Sequence, residues 1–416
     1  MKRPKFSQKY GYHAQKSEKT DENKCILVCT FAAAEMPLTG RFISRLIFQS
    51  HCISYYFIFV AMKLPSIKFA RGAQDGFFPV LRERVDEWFR QQGISQKGGN
   101  RMVAKSIGML SLYILPFVLI LTGWFSPLQM LVLALLMGVG LAGVGMAVMH
   151  DACHGAFSDK PWINRLFAGS MYLLGGNVFN WKVQHNTLHH TFTNIHEADG
   201  DIAGRFILRF DKHDRYLGIM RLQSFYGPFL YSLMVVTFHI KDFVQVITWG
   251  RQSGAAAFRR EFTTLMVSKV VYFLVILLPY FLLPISFGQW LMGYFAMALV
   301  AGFIMASVFQ LAHLVEGVDQ PLPDGEGKMD KPWADHQMHT TANFARKNRL
   351  LNWYVGGLNF QIEHHLFPNI CHLHYPAISR IVEQTAREFN LPYHCFDSLS
   401  SAYISHIKAL HALGRP

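Results

Sequence analysis

The sequence predicts an all-α integral membrane protein, in which four transmembrane helices form two hairpins and interfacial helices and a helical cap complete the fold. Composition is the first observation behind this prediction, because 51% of the 416 residues are hydrophobic and only 16% are charged. Soluble domains carry roughly 25% charged residues. The second observation is a set of apolar stretches close to the ~20 residues that a helix needs to cross a membrane. They lie at about 106–124, 128–149, 267–287 and 290–312.

Chain order pairs these four stretches into two hairpins. Residues 106–124 and 128–149 contain no charged residue, and only Phe125–Pro127 separates them. The stretches 267–287 and 290–312 are joined by an equally short, uncharged turn. Connections this short place consecutive helices side by side and antiparallel. We therefore expect both turns on one side of the membrane and the polar segments on the other.

Residues 1–61 differ in character from the rest of the chain. They hold four basic residues within the first nine positions and three of the six cysteines. Their apolar runs are too short to span a membrane. We expect 1–61 to be an atypical extension that the functional protein does not need, and 62–416 to be the working domain. A targeting segment is the alternative, and a chain beginning at Met62 that failed to insert or lost activity would favour it.

Several segments outside the hairpins have the character of helices lying at a membrane surface. In the clearest, FFPVLRERVDEWF, apolar and charged residues alternate at helical spacing. The segment 163–179 is apolar but rich in glycine, and two amphipathic helices are expected near the C-terminus. The four predicted interfacial segments are 77–89, 163–179, 377–389 and 400–413.

Histidines cluster in three short motifs. Histidines four apart lie on one face of a helix, so the pairs with that spacing can each hold one metal ion. Adjacent histidines diverge by about 100° on a helix, so two doublets indicate two ions side by side, with each doublet divided between them. The motifs are HDACH with His150 and His154, HNTLHH with His185, His189 and His190, and QIEHH with His364 and His365.

His313 adds an eighth candidate ligand, because it ends the last apolar stretch as His150 ends the second. Eight imidazoles exceed the four ligands of a structural zinc site. Imidazole suits zinc, copper, iron or nickel, so ligand type alone leaves the metal open. The sequence contains no Glu-x-x-His motif, which argues against a carboxylate-bridged site in a helical bundle. Ligating imidazoles need acceptors on their other nitrogen, and nearby carboxylates are candidates: Asp151, Glu197, Asp199, Asp201 and Glu363.

The histidine clusters also constrain Ser224–Ile240, an apolar segment of ambiguous length. If all clusters share one site, an even number of crossings separates the second cluster from the third, and the second hairpin supplies two. Residues 224–240 must therefore lie in the interface or re-enter it. Basic residues at 97–101, 251–260 and 346–349 fall on the histidine side, whereas the hairpin turns are uncharged. The positive-inside rule then places the histidines in the cytoplasm.

HDACH, HNTLHH and QIEHHLFP, in this order between apolar hairpins, resemble the histidine boxes of membrane fatty-acid desaturases over roughly residue 62 to the C-terminus. The resemblance implies a non-haem di-iron centre in the cytoplasmic cap, held by the seven clustered histidines. The segment AHLVEG resembles one that supplies a further ligand in acyl-CoA desaturases, which assigns His313 the same role. No catalytic side chain is implied beyond the metal centre. The implied reaction uses O2 to remove two hydrogens from an acyl chain, carried by CoA or a lipid, and leaves a cis double bond.

Two departures refine the resemblance. Gln361 opens the third box, as in the front-end desaturases, which insert a bond between an existing one and the carboxyl end; it would ligate weakly or hold a water. The sequence has no HPGG haem motif of a fused cytochrome b5 domain, so a separate ferredoxin or cytochrome b5 is the expected electron donor. The missing domain and the form of HNTLHH look more like bacterial acyl-CoA or acyl-lipid members. The bacterial inner membrane or the endoplasmic reticulum is the expected location.

The formal net charge of +13 fits an anionic lipid surface and an acidic redox partner. No nucleic-acid-binding motif occurs.

Six scattered cysteines without a CxxC motif favour a reducing compartment. One basic run would bind CoA phosphates or lipid headgroups, or serve as an ordinary cytoplasmic loop: Arg205, Arg209, Lys212, Arg215 and Arg221.

Two other functions remain open at the level of sequence. A histidine-box lipid hydroxylase or ketolase would share the ligands and differ only in how the carbon radical is resolved. A membrane receptor or transporter with structural zinc belongs to another class. It predicts a redox-silent metal and polar residues inside the spans, whereas 128–149 and 290–312 are uncharged.

Overall fold

The computed structural model describes residues 67–202 and 207–416, and the predicted helical architecture is confirmed over these ranges. A bundle of long apolar helices supports a cap of shorter helices, loops and two pairs of short strands. The proposed extension 1–61 lies outside the described residues.

Three helices of the described part are long and apolar enough to cross a membrane: Gly99–Leu121, Pro127–Cys153 and Phe287–His313. We call them the first, second and third apolar helices. The first two form the predicted hairpin. The Gln129 side chain accepts a hydrogen bond from the Ser126 backbone N–H at 2.9 Å, and Pro127 occupies the first helical position. Capping of this kind fixes where a helix begins, because proline is pre-set for that position and lacks the N–H that would have no partner there.

The first arm of the second hairpin differs from the prediction of one span at 267–287. The structure instead has the helices Ala255–Ile276 and Leu278–Leu282, and neither qualifies as a candidate span within the described ranges. Pro279 explains the break, since it offers no N–H to the carbonyl of Val275 and its ring crowds that carbonyl. The longer helix also begins before the apolar stretch and carries four charged residues.

The ambiguous segment 224–240 does not form a straight helix. Gly218–Tyr231 and Met234–Gly250 together pass the test for a span, but the chain bends by 84° between them. We call these two helices the bent pair. A Cβ on Gly302 of the third apolar helix would collide with the carbonyl oxygen of Ser232, at the bend. The glycine therefore lets the bend pack directly against the third apolar helix.

Glycines also bring the apolar helices into contact. A Cβ on Gly138 would lie 2.6 Å from the carbonyl oxygen of Met297, and a Cβ on Gly140 would lie 2.6 Å from the Leu112 carbonyl. Small residues allow such close approach between membrane helices. The second apolar helix is thus held between the first and the third, which brings the ends of the second and third helices together.

Three of the four segments predicted to be interfacial form helices outside the apolar bundle. Phe77–Gln92, Tyr375–Glu388 and Leu399–Leu413 are all helical. Leu81, Val85 and Phe89, spaced four apart, bury one face of the first of these, which packs on Tyr375–Glu388 in a second hydrophobic core. The strand pairs are parallel and join Lys68–Ala70 to Lys328–Pro332 and Ala342–Phe344 to His394–Phe396.

Shorter elements carry most of the chemistry. The short α-helices are Pro161–Ala168, Val178–Trp181, His190–Phe192, Trp333–Thr340, Arg349–Tyr354 and Gln361–Leu366. Wider π-helical turns occur at Val144–Met149, Lys182–His189 and Val246–Gly250, and tighter 3-10 turns at Gly169–Leu174, Gly218–Leu222 and His372–His374.

Candidate metal centre

The eight candidate histidines converge where the second and third apolar helices end. His150 and His154 terminate the second helix, and His313 is the last residue of the third. The second and third motifs supply the other five from the cap. All are buried except His154, which is half-buried. Four segments that are distant in sequence thus present imidazoles to one enclosed space.

One group consists of His150, His154, His185 and His364, whose ligand atoms all lie within 4.8 Å of one another. The Nε2 atoms of His150 and His185 are 3.2 Å apart. Two nitrogens bound to one ion at about 2.1 Å each are separated by roughly 3.0–3.4 Å. The spacing of these two nitrogens therefore suits a shared ion.

A second group consists of His189, His313 and His365. The ring centroids of His313 and His365 each lie within 4.8 Å of the His189 centroid. The doublet His364–His365 is consequently divided between the two groups. The ring of His190 lies between them, with its centroid 4.5 Å from those of both His364 and His365.

His185 and His189 belong to different groups, although their spacing predicts one shared ion. The segment Lys182–His189 is π-helical, so residues five apart, rather than four, lie above one another. His190 therefore faces His185, and their Nε2 atoms are 3.3 Å apart. A second π-helical segment, Val144–Met149, ends immediately before His150, in keeping with the frequent occurrence of such turns at functional sites.

Two aspartates accept hydrogen bonds from Nδ1 atoms of the second motif. Asp199 accepts a hydrogen bond from His189 Nδ1 at 2.8 Å. Asp201, which also lies within 4.8 Å of ligand atoms of His185 and His189, accepts from His185 Nδ1 at 3.0 Å. A carboxylate on Nδ1 leaves Nε2 as the free donor and orients the ring.

Neutral groups form hydrogen bonds with three further Nδ1 atoms. The contacts are His365 with Gln337 Oε1 at 2.9 Å, His313 with the Thr340 carbonyl at 3.3 Å, and His364 with the Tyr375 hydroxyl at 3.2 Å. The opposite nitrogens of these rings have no hydrogen-bond partner within the described part of the chain. Buried, unpartnered Nε2 atoms occur on His154, His189, His313, His364 and His365. Because a buried polar atom without a partner is unfavourable, five such nitrogens around one space fit a transition-metal site.

The electrostatics keep most of these imidazoles neutral. Burial lowers the pKa of His185 to about 3 against the opposing effect of Asp201. Burial, followed by the neighbouring imidazoles, lowers the pKa of His190, His364 and His365 well below the usual value. Burial also disfavours the charged form of His189, but Asp199 outweighs it and raises that pKa. Neutral imidazole is the form that binds a metal.

Three other carboxylates suggested by the sequence do not contact the histidines in the same way. Asp151 accepts a hydrogen bond from His372 Nδ1 at 2.8 Å, and its nearest approach to His150 Nδ1 is 3.9 Å. Glu363 is buried but accepts from Asn343 and Tyr393, at 2.8 and 2.7 Å. Glu197 is exposed, with 72% of its side chain accessible. Proximity in sequence was a poor guide for Glu197 and Glu363 because the backbone turns their side chains away.

Asp151, Cys371 and His372 form a further close set of ligand-type atoms. Both nitrogens of His372 are already used, because Lys105 Nζ lies 2.7 Å from its Nε2 and Asp151 binds its Nδ1. We interpret this set as a hydrogen-bonded cluster beside the centre.

The basic run is only partly available for ligands. Arg205 lies outside the described residues. Arg209 is buried and donates to the backbone carbonyls of Asp214, Leu413, Arg415 and Lys212, so it fastens the C-terminus. Lys212, Arg215 and Arg221 are exposed.

Gln361 is buried at the first residue of the helix Gln361–Leu366. It precedes His364 by three residues, which places both on one side of that helix.

Gln337 is a further candidate for the site that the sequence pattern does not reveal. Its Oε1 accepts from both His365 Nδ1 and Thr193 Oγ1, each at 2.9 Å, and so links the second and third motifs. Gln337 belongs to no histidine doublet and to no apolar stretch. Its role arises only because the fold packs Trp333–Thr340 against Gln361–Leu366.

Comparison with known proteins agrees with this geometry. A model of the fatty acid desaturase family matches residues 122–397, which include all eight histidines. The sn-1 linoleoyl-lipid 6-desaturase of Synechocystis sp. is 33% identical over 84% of this chain and 98% of its own length. The acyl-lipid (8-3)-desaturases of Physcomitrium patens and Mortierella alpina are 32% and 30% identical, over 85% and 81% of this chain and 74% and 78% of their own. The chain therefore belongs to the fatty acid desaturase family.

Proposed function

We propose that the protein introduces a cis double bond into an acyl chain of a membrane lipid, with O2 as oxidant and two iron ions as cofactor. The observation that carries this proposal is the division of the histidines into two adjacent groups. Five of their Nε2 atoms are buried without a partner among the described residues. A single zinc site would leave most of these nitrogens unexplained.

The residues that would hold the ions follow from the geometry. His150, His154, His185 and His364 would hold one ion, His189, His313 and His365 the other, and His190 lies between them. Bound iron supplies the oxidising power that breaking an unactivated C–H bond requires.

The chain's own groups prepare this site in two ways. Hydrogen bonds on the Nδ1 atoms of five histidines keep the rings oriented. Burial excludes water, which protects a strong oxidant from side reactions. Gln361 suits a role as a weak ligand or as the group that holds a water.

The substrate and the position of the bond rest on the relatives. Their names specify lipid-linked acyl chains and the 6- and (8-3)-positions. We propose an acyl-lipid substrate and front-end insertion, and Gln361 at the start of the third motif supports this choice. Acyl-CoA is the alternative carrier.

We propose four crossings, with the histidines on the cytoplasmic side. A Cβ on Gly123, in the first hairpin turn, would lie 3.3 Å from Leu283 of the second, so both turns lie together at the far side. This supports a crossing by the chain from Ala255 to Leu282, which would have to reach that turn.

The bent pair begins and ends on the histidine side, which supports re-entry rather than a fifth crossing. At its start, Gln223 Nε2 donates to the Leu410 carbonyl in the C-terminal helix at 2.8 Å. Near its end, Asp242 accepts a hydrogen bond from Asn180 Nδ2 at 3.1 Å. Asn180 lies only five residues before His185 in the sequence, which places this end near the histidines. With the histidines on the cytoplasmic side, a separate ferredoxin or cytochrome b5 would supply the electrons.

Metal and product analysis test the proposal together. We expect about two iron ions per purified chain, and a new cis double bond in the fatty-acid methyl esters of an expressing host, detected by gas chromatography. A hydroxylated or keto product would instead identify the protein as a lipid hydroxylase or ketolase. One zinc ion per chain and no new product would identify the receptor or transporter class.

A further inference from the structure

We propose that a basic cavity beside the metal centre binds the phosphate group of the acyl substrate's carrier. This inference rests on the proposed function, because it concerns how the acyl substrate is held. The cavity has a volume of about 690 Å³. Five cationic side chains line it: Lys105, Arg346, Lys347, Arg349 and Arg380.

The cavity has an excess of positive charge that the protein does not neutralise. Among the described residues, Glu383 and Asp397 are the only carboxylates that line it, and Glu383 already accepts from Arg346 at 2.9 Å. Lys347, Arg349 and Arg380 have no ion-pair partner within 4.0 Å in the described part of the chain. Cations grouped in a concave site bind phosphate well, and arginine can do so through two parallel hydrogen bonds.

The cavity lies at the height of lipid headgroups. The Leu112 carbonyl contacts Gly140 across the first hairpin, so Lys105, seven residues nearer the histidine side, lies at about the level of residue 147. A hydrocarbon layer of about 20 residues that begins at Pro127 ends near the same level.

The helix Arg349–Tyr354 supports this placement. Trp353, which lines the cavity, is 47% exposed, and Leu350 is 76% exposed. Tyr354 donates to the Val139 carbonyl at 2.8 Å and so fixes this helix to the second apolar helix. Exposed tryptophan is typical of the membrane interface, where phosphate groups lie.

A short chain of contacts joins the cavity to the metal centre. His372 lines the cavity, and its Nδ1 donates to Asp151 at 2.8 Å. Asp151 directly follows His150, a candidate metal ligand, within the HDACH motif. A phosphate held here is therefore close to the reacting groups, as insertion near the carboxyl end of the acyl chain requires.

The test is equilibrium binding to the full-length protein in uncharged detergent micelles. The probes carry one fluorescent acyl group on phosphatidylglycerol, on CoA or on uncharged diacylglycerol. The cavity variant is Lys347→Gln/Arg349→Gln/Arg380→Gln. The control Lys160→Gln/Arg165→Gln/Arg259→Gln removes the same charge from exposed positions outside the cavity.

We expect the Kd of a phosphate-bearing probe to rise at least roughly tenfold in the cavity variant, since the phosphate loses charge-assisted hydrogen bonds there. The control variant should bind all probes like the wild type, and diacylglycerol binding should not change in either. A loss of affinity for the phosphatidylglycerol probe assigns the cavity to phospholipids. A loss of affinity for the CoA probe alone assigns it to acyl-CoA. An unchanged Kd in the cavity variant, or an equal rise in the control, overturns the proposal.

Two further measurements separate this inference from other failures. Binding requires no turnover, so a hydroxylated product would overturn the proposed function and leave the binding result intact. An iron content and a thermal unfolding midpoint equal to those of the wild type would show that the cavity variant is folded. If the triple variant does not fold, the pair Arg380→Gln and Arg380→Lys replaces it, and only the first should lose affinity.

Discussion

A histidine ligand depends on the group that binds its second nitrogen, and Gln337 is the clearest case here. Gln337 Oε1 accepts from His365 Nδ1 and is held in turn by Thr193. Without this acceptor, the ring of His365 loses its preferred tautomer and orientation. Partners of this kind typically change metal affinity 10- to 100-fold.

We therefore expect Gln337→Leu to weaken iron binding by roughly 10- to 100-fold, measured by competition with a chelator. Gln337→Glu keeps the acceptor oxygen and should retain most of the affinity. Equal losses in the two variants would show that packing, and not the hydrogen bond, explains the effect.

The ligand role of His313 is testable in the same way. His313→Ala should abolish desaturation and lower the iron content while the protein still inserts, because one group loses one of its three histidines. His411→Ala, at an exposed histidine of the C-terminal helix, is the control and should keep iron and activity. Full iron and turnover in His313→Ala would remove this residue from the ligand set.

The site was predictable from the sequence where histidines recur at fixed spacing, and it was not predictable beyond that. Doublets indicated two ions because adjacent side chains diverge on any helix. The pairing of His185 with His190 was missed, since it depends on a π-helical turn that the residue pattern does not reveal. Gln337 was missed because its contacts join segments 144 and 28 residues apart.

At the scale of elements, apolar length predicted the first hairpin and the last span well. At 267–287 it predicted one unbroken helix, whereas the structure has two, because a count of apolar residues does not register that Pro279 interrupts backbone hydrogen bonding. The parity of the crossings predicted that the segment 224–240 does not cross, which stays a prediction, and it did not predict the bend between Tyr231 and Met234. Its position depends on contact with Gly302, which no local pattern contains.

Gly302→Ala should destabilise the protein by roughly 1–3 kcal/mol, as overpacking does, because the added methyl group collides with the backbone at Ser232. The matched variant Gly108→Ala lies in the first apolar helix, where a Cβ meets nothing within 4 Å. It should be neutral or stabilising by up to about 1 kcal/mol, from helix propensity alone. Unfolding in detergent measures both, and similar effects would contradict the packing argument.

The C-terminal helix should make stability depend on pH. His406 is buried there: its Nδ1 donates to the Leu314 carbonyl at 2.7 Å, and its Nε2 accepts from the Tyr231 hydroxyl at 2.9 Å. Burial lowers its pKa to about 4, although the bond to Leu314 opposes this. The unfolded chain, with a usual pKa near 6.5, therefore binds the proton first as the pH falls.

Stability from His406 should thus be fully present above about pH 6.5 and decline down to about pH 4, by on the order of 3 kcal/mol. Thermal unfolding midpoints between these values measure the slope. His406→Gln should flatten this part of the profile. An unchanged slope would place the acid sensitivity elsewhere.

At the scale of the whole molecule, the proposed topology predicts which positions face the same side. Single cysteines replacing Ile219, at the start of the bent pair, and Gln252, just after its end, should react with an impermeant thiol reagent from the same side as one replacing Ser400. A cysteine replacing Trp124, 84% exposed in the first hairpin turn, should react only from the opposite side. Labelling of positions 219 and 252 from opposite sides would mean that the bent pair crosses the membrane.

The dispersal of the eight histidines along the chain has a consequence for biosynthesis. His150 and His365 are 215 residues apart, and the segments between them include the whole second hairpin. The centre therefore cannot close until both hairpins are inserted and synthesis has passed the third motif. Because closing long loops carries an entropic penalty, we expect metal ions bound by these histidines to join the cap to the apolar helices late in folding. The newly made, metal-free chain would thus be a distinct maturation stage, with its apolar helices in the membrane and its cap still open.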